Sequence, residues 1–351
     1  MSLTIDNILD AAEQHQASDV FLQEGELPRL KISEQILLLG EEPISLSQMT
    51  GLWQLCGGDP QLDRDRDSGL ISHTHVRFRV NLHRTMGRMA AVLRRIKTHI
   101  PALSELGVPD ELLTRWAQRS FGLILVTGPT GTGKSTTIAA LLQWMNQNLA
   151  RHVVTIEDPV EYVFTSDHCH FTQREVRRDT DSFSSGLRSA MRQAPDVIFV
   201  GEIRDFETAL TALQAAETGH LVVSTLHSER VSDTMERYLN LFPKDQAGVG
   251  TKMLAHQLVG IQCQKLLPRT DGGLQLVYEH LENVGATRNW IEERDMSHLE
   301  EYLRRGGDPH AVSFLQTVIA AYQDGLITEP VAIEALGSET EFRRAARGIH
   351  G

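Results

Sequence analysis

Short apolar runs that stop at polar loops dominate the middle of the chain. "LILVTG", "HVVTIED", "DVIFVGE" and "HLVVSTLH" each read as a buried strand, and helical segments such as "TIAALLQWM" lie between them. Strands apolar on both faces that alternate with helices predict an α/β fold with a parallel sheet covered on both sides. The first 97 residues read differently. Ile5, Ile8, Leu9 and Ala12 recur at helical spacing within residues 1–16. "DVFLQEG" and "PRLKI" read as short strands punctuated by Gly and Pro. "HVRFRVNLH" and "RMAAVLRRI" alternate with the strand period. Residues 1–97 are therefore expected to form a small α+β domain. The prolines and glycine of "THIPALSELGVPDELL" predict a linker over 98–110. The α/β core is expected over 111–285 and a charged helical tail over 286–351.

One run leads into a recognisable loop. "GPTGTGKST" follows the strand "LILVT" and opens the helix "TIAALLQWM", so Gly128 to Ser135 fit GxxxxGK[ST] with the required strand before and helix after. The glycines let backbone N–H groups wrap phosphates, and the helix N-terminus adds its positive end. Gly128, Pro129, Thr130, Gly131, Thr132, Gly133, Lys134, Ser135 and Thr136 are the expected nucleotide-binding residues. Lys134 would reach the β- and γ-phosphates, and Ser135 would bind Mg²⁺. A nucleoside triphosphate and Mg²⁺ are thus the expected cofactors.

The following strands supply the acids. "VVTIEDPVEY" ends a strand with Glu157, Asp158 and Glu161, and "PDVIFVGEIRD" ends another with Glu202. Glu202, placed directly after a fully apolar run and a glycine, is the natural base for an attacking water. Glu161 is a candidate for the Mg²⁺ shell, partly through water, and Asp158 reads equally well as a solvated turn acid.

Composition narrows the setting. The chain has 351 residues, a formal net charge of −12 and three scattered cysteines without a CxxC pair. An acidic chain is a poor prior for non-specific nucleic-acid binding. The cysteines offer neither a zinc ribbon nor a disulfide framework, which fits a reducing, cytoplasmic setting. "MSLTIDNILDAAEQHQ" lacks the apolar stretch of a signal peptide, and no uninterrupted apolar run of about 18 residues is present. Any membrane link is expected through a partner.

"GPTGTGKSTT", "TIEDPVEY", "QREVRRDT", "RQAPDVIFVGEIRD" and "AAETGHLVVSTLH" together resemble the secretion and pilus ATPase superfamily, and within it the type IV pilus retraction ATPases. The resemblance runs from "ASDVFLQEGELPR" to "ATRNWIEE". It implies a PAS-like N-terminal domain and a RecA-like ATPase domain assembled as a homohexameric ring. It also implies an inner-membrane pilus platform protein as partner and a role in twitching motility. Glu157–Tyr162 match the family's Asp box, with Glu161 the acid near the nucleotide. Gly201 and Glu202 match its atypical Walker B, and His220 and His227 its His box. The chain departs from the family at "ATRNWIEE", usually AIRNLIRE, and at Ala194, where an acid usually stands. An accessory pilus ATPase and the motor of a related secretion system stay open as alternatives. A nucleic-acid translocase stays open as a weaker one.

His220 and His227 flank one strand and lie too far apart to share a metal directly. His227 falls at the strand's C-terminal end, where α/β sheets bind ligands. It reads as a γ-phosphate sensor, and His220 as a packing or hydrogen-bonding residue. Arg77, Arg79, Arg84, Arg88, Arg94, Arg95 and Lys97 form a basic cluster. It reads as a solvated sheet face, as a nucleic-acid surface, or as fingers reaching a neighbour's γ-phosphate in a ring. Arg77, Arg79 and Arg94 are the candidates for that last role.

Overall fold

The computed structural model describes residues 4–32, 35–74, 76–96 and 99–348. The chain separates into two units, Met1–His99 and Ile100–Gly351. In the first, helix α1 (Ile5–Gln14) starts where the Thr4 hydroxyl accepts the Asn7 N–H, and it buries Ile8, Leu9 and Ala12. It packs on a sheet built from β1 (Asp19–Gln23), β2 (Arg29–Ile32) and β3 (Gln35–Leu38). Helix α2 (Leu46–Leu55) follows, then β4 (Asp65–Ile71), β5 (Arg77–Thr85) and β6 (Arg88–Arg95). The strand order is β3-β2-β1-β6-β5-β4, and neighbours run antiparallel. Phe78, Val80, Leu82 and Leu93 meet Trp53 and Ile8 in the core of this unit. The strands β3 and β4 and the helix α2 go beyond the sequence reading. β3 is exposed throughout and β4 begins Asp-Arg-Asp, so neither edge strand shows the half-buried alternation that marks a strand.

The other face of this sheet carries Arg77 and Arg79, with Arg94 directly opposite Arg79 across the β5–β6 pair. Arg94 Nε lies 2.8 Å from Oδ1 of the buried Asp19. Arg95 donates to the Ala17 carbonyl at 3.1 Å, and Arg84 donates to the Pro60 carbonyl and lies over the Trp53 ring. Much of the basic cluster is thus spent inside its own unit. Lys97 lies outside the described residues.

In the second unit a 3₁₀ turn (Leu103–Glu105) precedes α3 (Asp110–Ala117). Leu103 and Val108 are buried in its core, which anchors this stretch to the unit. Then come β7 (Gly122–Thr127), α4 (Lys134–Asn148), β8 (His152–Glu157) and β9 (His170–Glu175). They are followed by α5 (Phe183–Ala190), β10 (Val197–Val200), α6 (Phe206–Glu217) and β11 (Leu221–Leu226). The chain continues through α7 (Val231–Leu239), α8 (Ala247–Gln257), β12 (Leu258–Pro268) and β13 (Leu274–Glu282). It ends with α9 (Thr287–Glu293), α10 (Met296–Arg305), β14 (Ala311–Val312), α11 (Phe314–Gln323), α12 (Glu329–Leu336) and α13 (Glu339–Ala346).

The sheet order is β14-β13-β12-β7-β11-β10-β8-β9. From β12 to β9 every pair is parallel, as the apolar runs predict, while β13 and β14 add an antiparallel margin. Apolar clusters cover both sheet faces. The tail helices join one of them through Ile291, Leu299, Leu303, Val318 and Phe342. Among the described residues no helix is long and apolar enough to cross a membrane.

Candidate active site

Parallel strands deliver their carboxyl ends to one rim, and the predicted nucleotide residues of the second unit gather there. β7 ends at Thr127, and Gly128 turns the chain with φ 145°. A β-carbon on Gly128 would lie 2.4 Å from the Gln264 carbonyl oxygen, so only glycine fits. Gly133, at φ 84°, then opens α4. Lys134 is buried and donates to the carbonyls of Gly128 and Pro129 at 2.9 and 2.7 Å. Thr132 Oγ1 donates to the same Pro129 carbonyl at 2.9 Å. Burial holds the Lys134 ammonium below its usual pKa, while the Glu161 and Glu202 carboxylates pull it back up.

The acids follow from the neighbouring strands. Glu157 closes β8 and is buried, accepting from Thr155 Oγ1 at 2.7 Å and Gln173 Nε2 at 3.3 Å. Burial pushes its carboxyl up to about 7. Glu161 is exposed, and its backbone N–H donates to Glu157 at 3.4 Å. Tyr162 reaches Thr136 across 3.0 Å and so ties this loop to the first turn of α4. Asp158 pairs with Arg177 at 3.6 Å.

Glu202 sits just past β10. Gly201 before it is held on both sides: its N–H donates to Ile156 at 2.8 Å and its carbonyl accepts from Thr225 Oγ1 at 2.6 Å. His227 follows β11, with Nε2 3.4 Å from Glu202 Oε2, and Arg204 pairs with the other oxygen, Oε1. Burial and then the Lys134 charge lower the His227 pKa, against the pull of Glu202. A neutral imidazole beside the Glu202 carboxylate results. His220 lies at the far end of β11, its Nδ1 2.9 Å from the Ala215 carbonyl, and takes no part in this group. The structure therefore joins Lys134, Glu161, Glu202 and His227 in one electrostatic cluster. Arg77, Arg79 and Arg94 belong to the other unit.

Three supporting features escaped the sequence reading. Gln264 on β12 donates to the Thr132 carbonyl at 2.6 Å and accepts from Thr137 Oγ1 at 3.1 Å, clamping the phosphate loop. Thr127 Oγ1 lies 2.9 Å from Cys263 Sγ and 3.1 Å from Thr234 Oγ1, joining β7, β12 and α7 behind the loop. Arg204 is the third. Gln264 stands in "VGIQCQKLL", where a glutamine two residues after another buried glutamine is the only hint. Among the described residues no group of three or more His, Cys, Asp or Glu side chains could hold a metal ion.

The family described as Type II/IV secretion system protein matches residues 60–304. The type IV pilus ATPase PilU of Pseudomonas aeruginosa is 35% identical over 348 residues, covering 97% of this chain and 91% of the relative. The type IV pilus retractation ATPase PilT of the same organism is 36% identical over 310 residues, covering 87% and 90%. A crystal structure of the pilus retraction motor PilT with bound ADP superposes with a TM-score of 0.89 at 39% identity, covering 98% of this chain and all of that one. The chain belongs to the type II/IV secretion system protein family, as an ATP-hydrolysing enzyme of the pilus-motor kind.

Proposed function

We propose that this chain is a ring-forming, Mg²⁺-dependent ATPase that powers retraction of type IV pili. The observation that carries the reading is the convergence of Lys134, Glu202 and His227 on one rim of a parallel sheet. Gly128 to Thr136 would wrap the phosphates, with Lys134 leaving its carbonyl partners for the β- and γ-oxygens. The Ser135 hydroxyl and Glu161 carboxylate are hard oxygen donors of the kind Mg²⁺ takes, the second in part through water. A bound Mg²⁺ would neutralise charge on the phosphates. Glu202 takes a proton from water as its oxygen attacks the γ-phosphorus and the bond to the β-phosphate oxygen breaks. His227 senses the γ-phosphate from beside that base.

The ring is read as a homohexamer in which Arg77 and Arg79 reach the next subunit's γ-phosphate. Arg94 is the third candidate, and would first leave its pair with the buried Asp19. The segment 98–110 absorbs the closing motion at its start, ahead of the buried Leu103, and an inner-membrane platform protein receives it on the cytoplasmic side. A DNA translocase is disfavoured by the internal use of Arg84, Arg94 and Arg95 and by the net charge of −12.

A second reading, an accessory partner of such a motor, draws on α9, the "ATRNWIEE" helix. Its Glu292 and Glu293 are exposed, and Trp290 stacks against His298 and meets Tyr302 at a tilt. The test is a gene deletion, complemented with the wild type or Glu202→Gln, scored for surface pili and motility together. Abundant pili without motility, rescued by the wild type alone, support the retraction motor. Unchanged pili and motility favour the accessory role.

A further inference from the structure

Both oxygens of the Glu202 carboxylate are engaged. Oε2 faces His227 Nε2 at 3.4 Å, and Oε1 is capped by Arg204. The two partners differ in freedom. Arg204's side chain is 67% exposed, whereas that of Glu202 is 13% exposed. The backbone between them is pinned: Ile203 is buried, and its N–H donates to the Thr225 carbonyl at 3.1 Å. Just beyond, Asp205 caps α6 by accepting from Thr208 N at 2.8 Å. The loop thus keeps its shape, and only the Arg204 side chain is free to break the pair.

We infer that Arg204 is a positioning residue that latches Glu202 until a triphosphate is seated. The inference rests on the reading of Glu202 as the base. A guanidinium on a carboxylate oxygen occupies the lone pair that would receive a proton from water. A general base so capped is a poor one. An arriving γ-phosphate offers the same planar fork a competing anion. Arg204, being largely exposed, can turn to it and free Oε1. The latch thus couples base exposure to nucleotide arrival.

The test compares binding of ADP and of a non-hydrolysable ATP analogue, together with steady-state hydrolysis of ATP, in wild type, Arg204→Gln and Glu202→Gln, each as the 351-residue chain at one concentration. Arg204→Gln is expected to weaken the analogue about tenfold and to leave ADP affinity in place, because the arginine turns only to the γ-phosphate. Glu202→Gln, which frees the arginine in advance, is expected to bind the analogue about threefold or more tighter, again with ADP unchanged. Loss of a merely structural arginine would weaken both nucleotides alike. Equal effects on analogue and ADP, with Glu202→Gln inactive in hydrolysis, overturn the latch alone. Wild-type hydrolysis by Glu202→Gln overturns the base reading beneath it. Should Arg204→Gln not fold, Arg204→Lys, which keeps the charge but loses the planar fork, should show the same discrimination at smaller size.

Discussion

Gln264 Nε2 lies 2.6 Å from the carbonyl oxygen of Thr132, in the glycine-rich loop before α4. The glutamine also accepts from Thr137 Oγ1 on α4, so a single β12 side chain fixes both the loop and the helix that follows it. Gln264→Leu leaves a buried carbonyl and a buried hydroxyl without partners. It should cost about 1–3 kcal/mol of stability, measured by denaturant unfolding. ADP affinity, measured by calorimetry, should fall about tenfold. Unchanged ADP affinity would assign Gln264 to stability alone.

His227 should work as a neutral imidazole. Its pKa is lowered, first by burial and then by Lys134, so it stays uncharged below the ordinary histidine value of 6.5. A depressed folded-state pKa gives stability that is present above the unfolded value and lost as pH falls through the folded one. Hydrolysis should therefore hold through pH 6.5 on acidification, and His227→Gln should remove part of the acid-side loss of stability. His227→Ala should lower kcat at pH 7.5 at least tenfold. A wild-type rate in that variant removes the sensor role.

Glu157 carries the opposite sign. Its carboxyl is raised to about 7 by burial. Its contribution to stability is fully present below the unfolded carboxyl value and lost as pH rises through about 7. Glu157→Gln should gain on the wild type as pH climbs from 5 to 8, by roughly 1–3 kcal/mol at the alkaline end. Parallel melting curves across that range would contradict the buried, protonated acid.

Ala194 is held at φ 52°, a left-handed conformation that a β-carbon disfavours, two residues before Asp196, whose carboxylate accepts the His152 N–H at 2.8 Å. Ala194→Gly should stabilise the chain by about 0.5–1 kcal/mol, read as a raised Tm. A lowered Tm would mean that the methyl group earns its place by packing.

The legible parts of this molecule share one cause: local pattern and tertiary demand agree. The strand, glycine loop and helix around Lys134 need only their own residues to be recognised, and the fully apolar β7, β8, β10 and β11 announce a covered parallel sheet. β9, "HFTQRE", escaped because an edge strand in parallel pairing needs no apolar alternation. β12 and β13 escaped because buried Gln262, Gln264, Glu279, His280 and Glu282 interrupt their apolar runs. Gln264 earns its place through partners 132 and 127 residues away in sequence, and no local window contains that information. Arg204 is equally mute in sequence, since an arginine in a loop looks solvated until its carboxylate partner is seen.

The first strand in the order of the N-terminal sheet has a consequence for handling the protein. β3 pairs only with β2 among the described residues, and its residues Gln35, Ile36, Leu37 and Leu38 are uncharged and exposed. A bare, uncharged edge of this kind is a template for the extended backbone of other chains. Concentrated stocks should cloud by growth from this edge. Leu38→Lys, which sets a solvated cation on it, should keep them clear without touching the nucleotide rim of the other sheet.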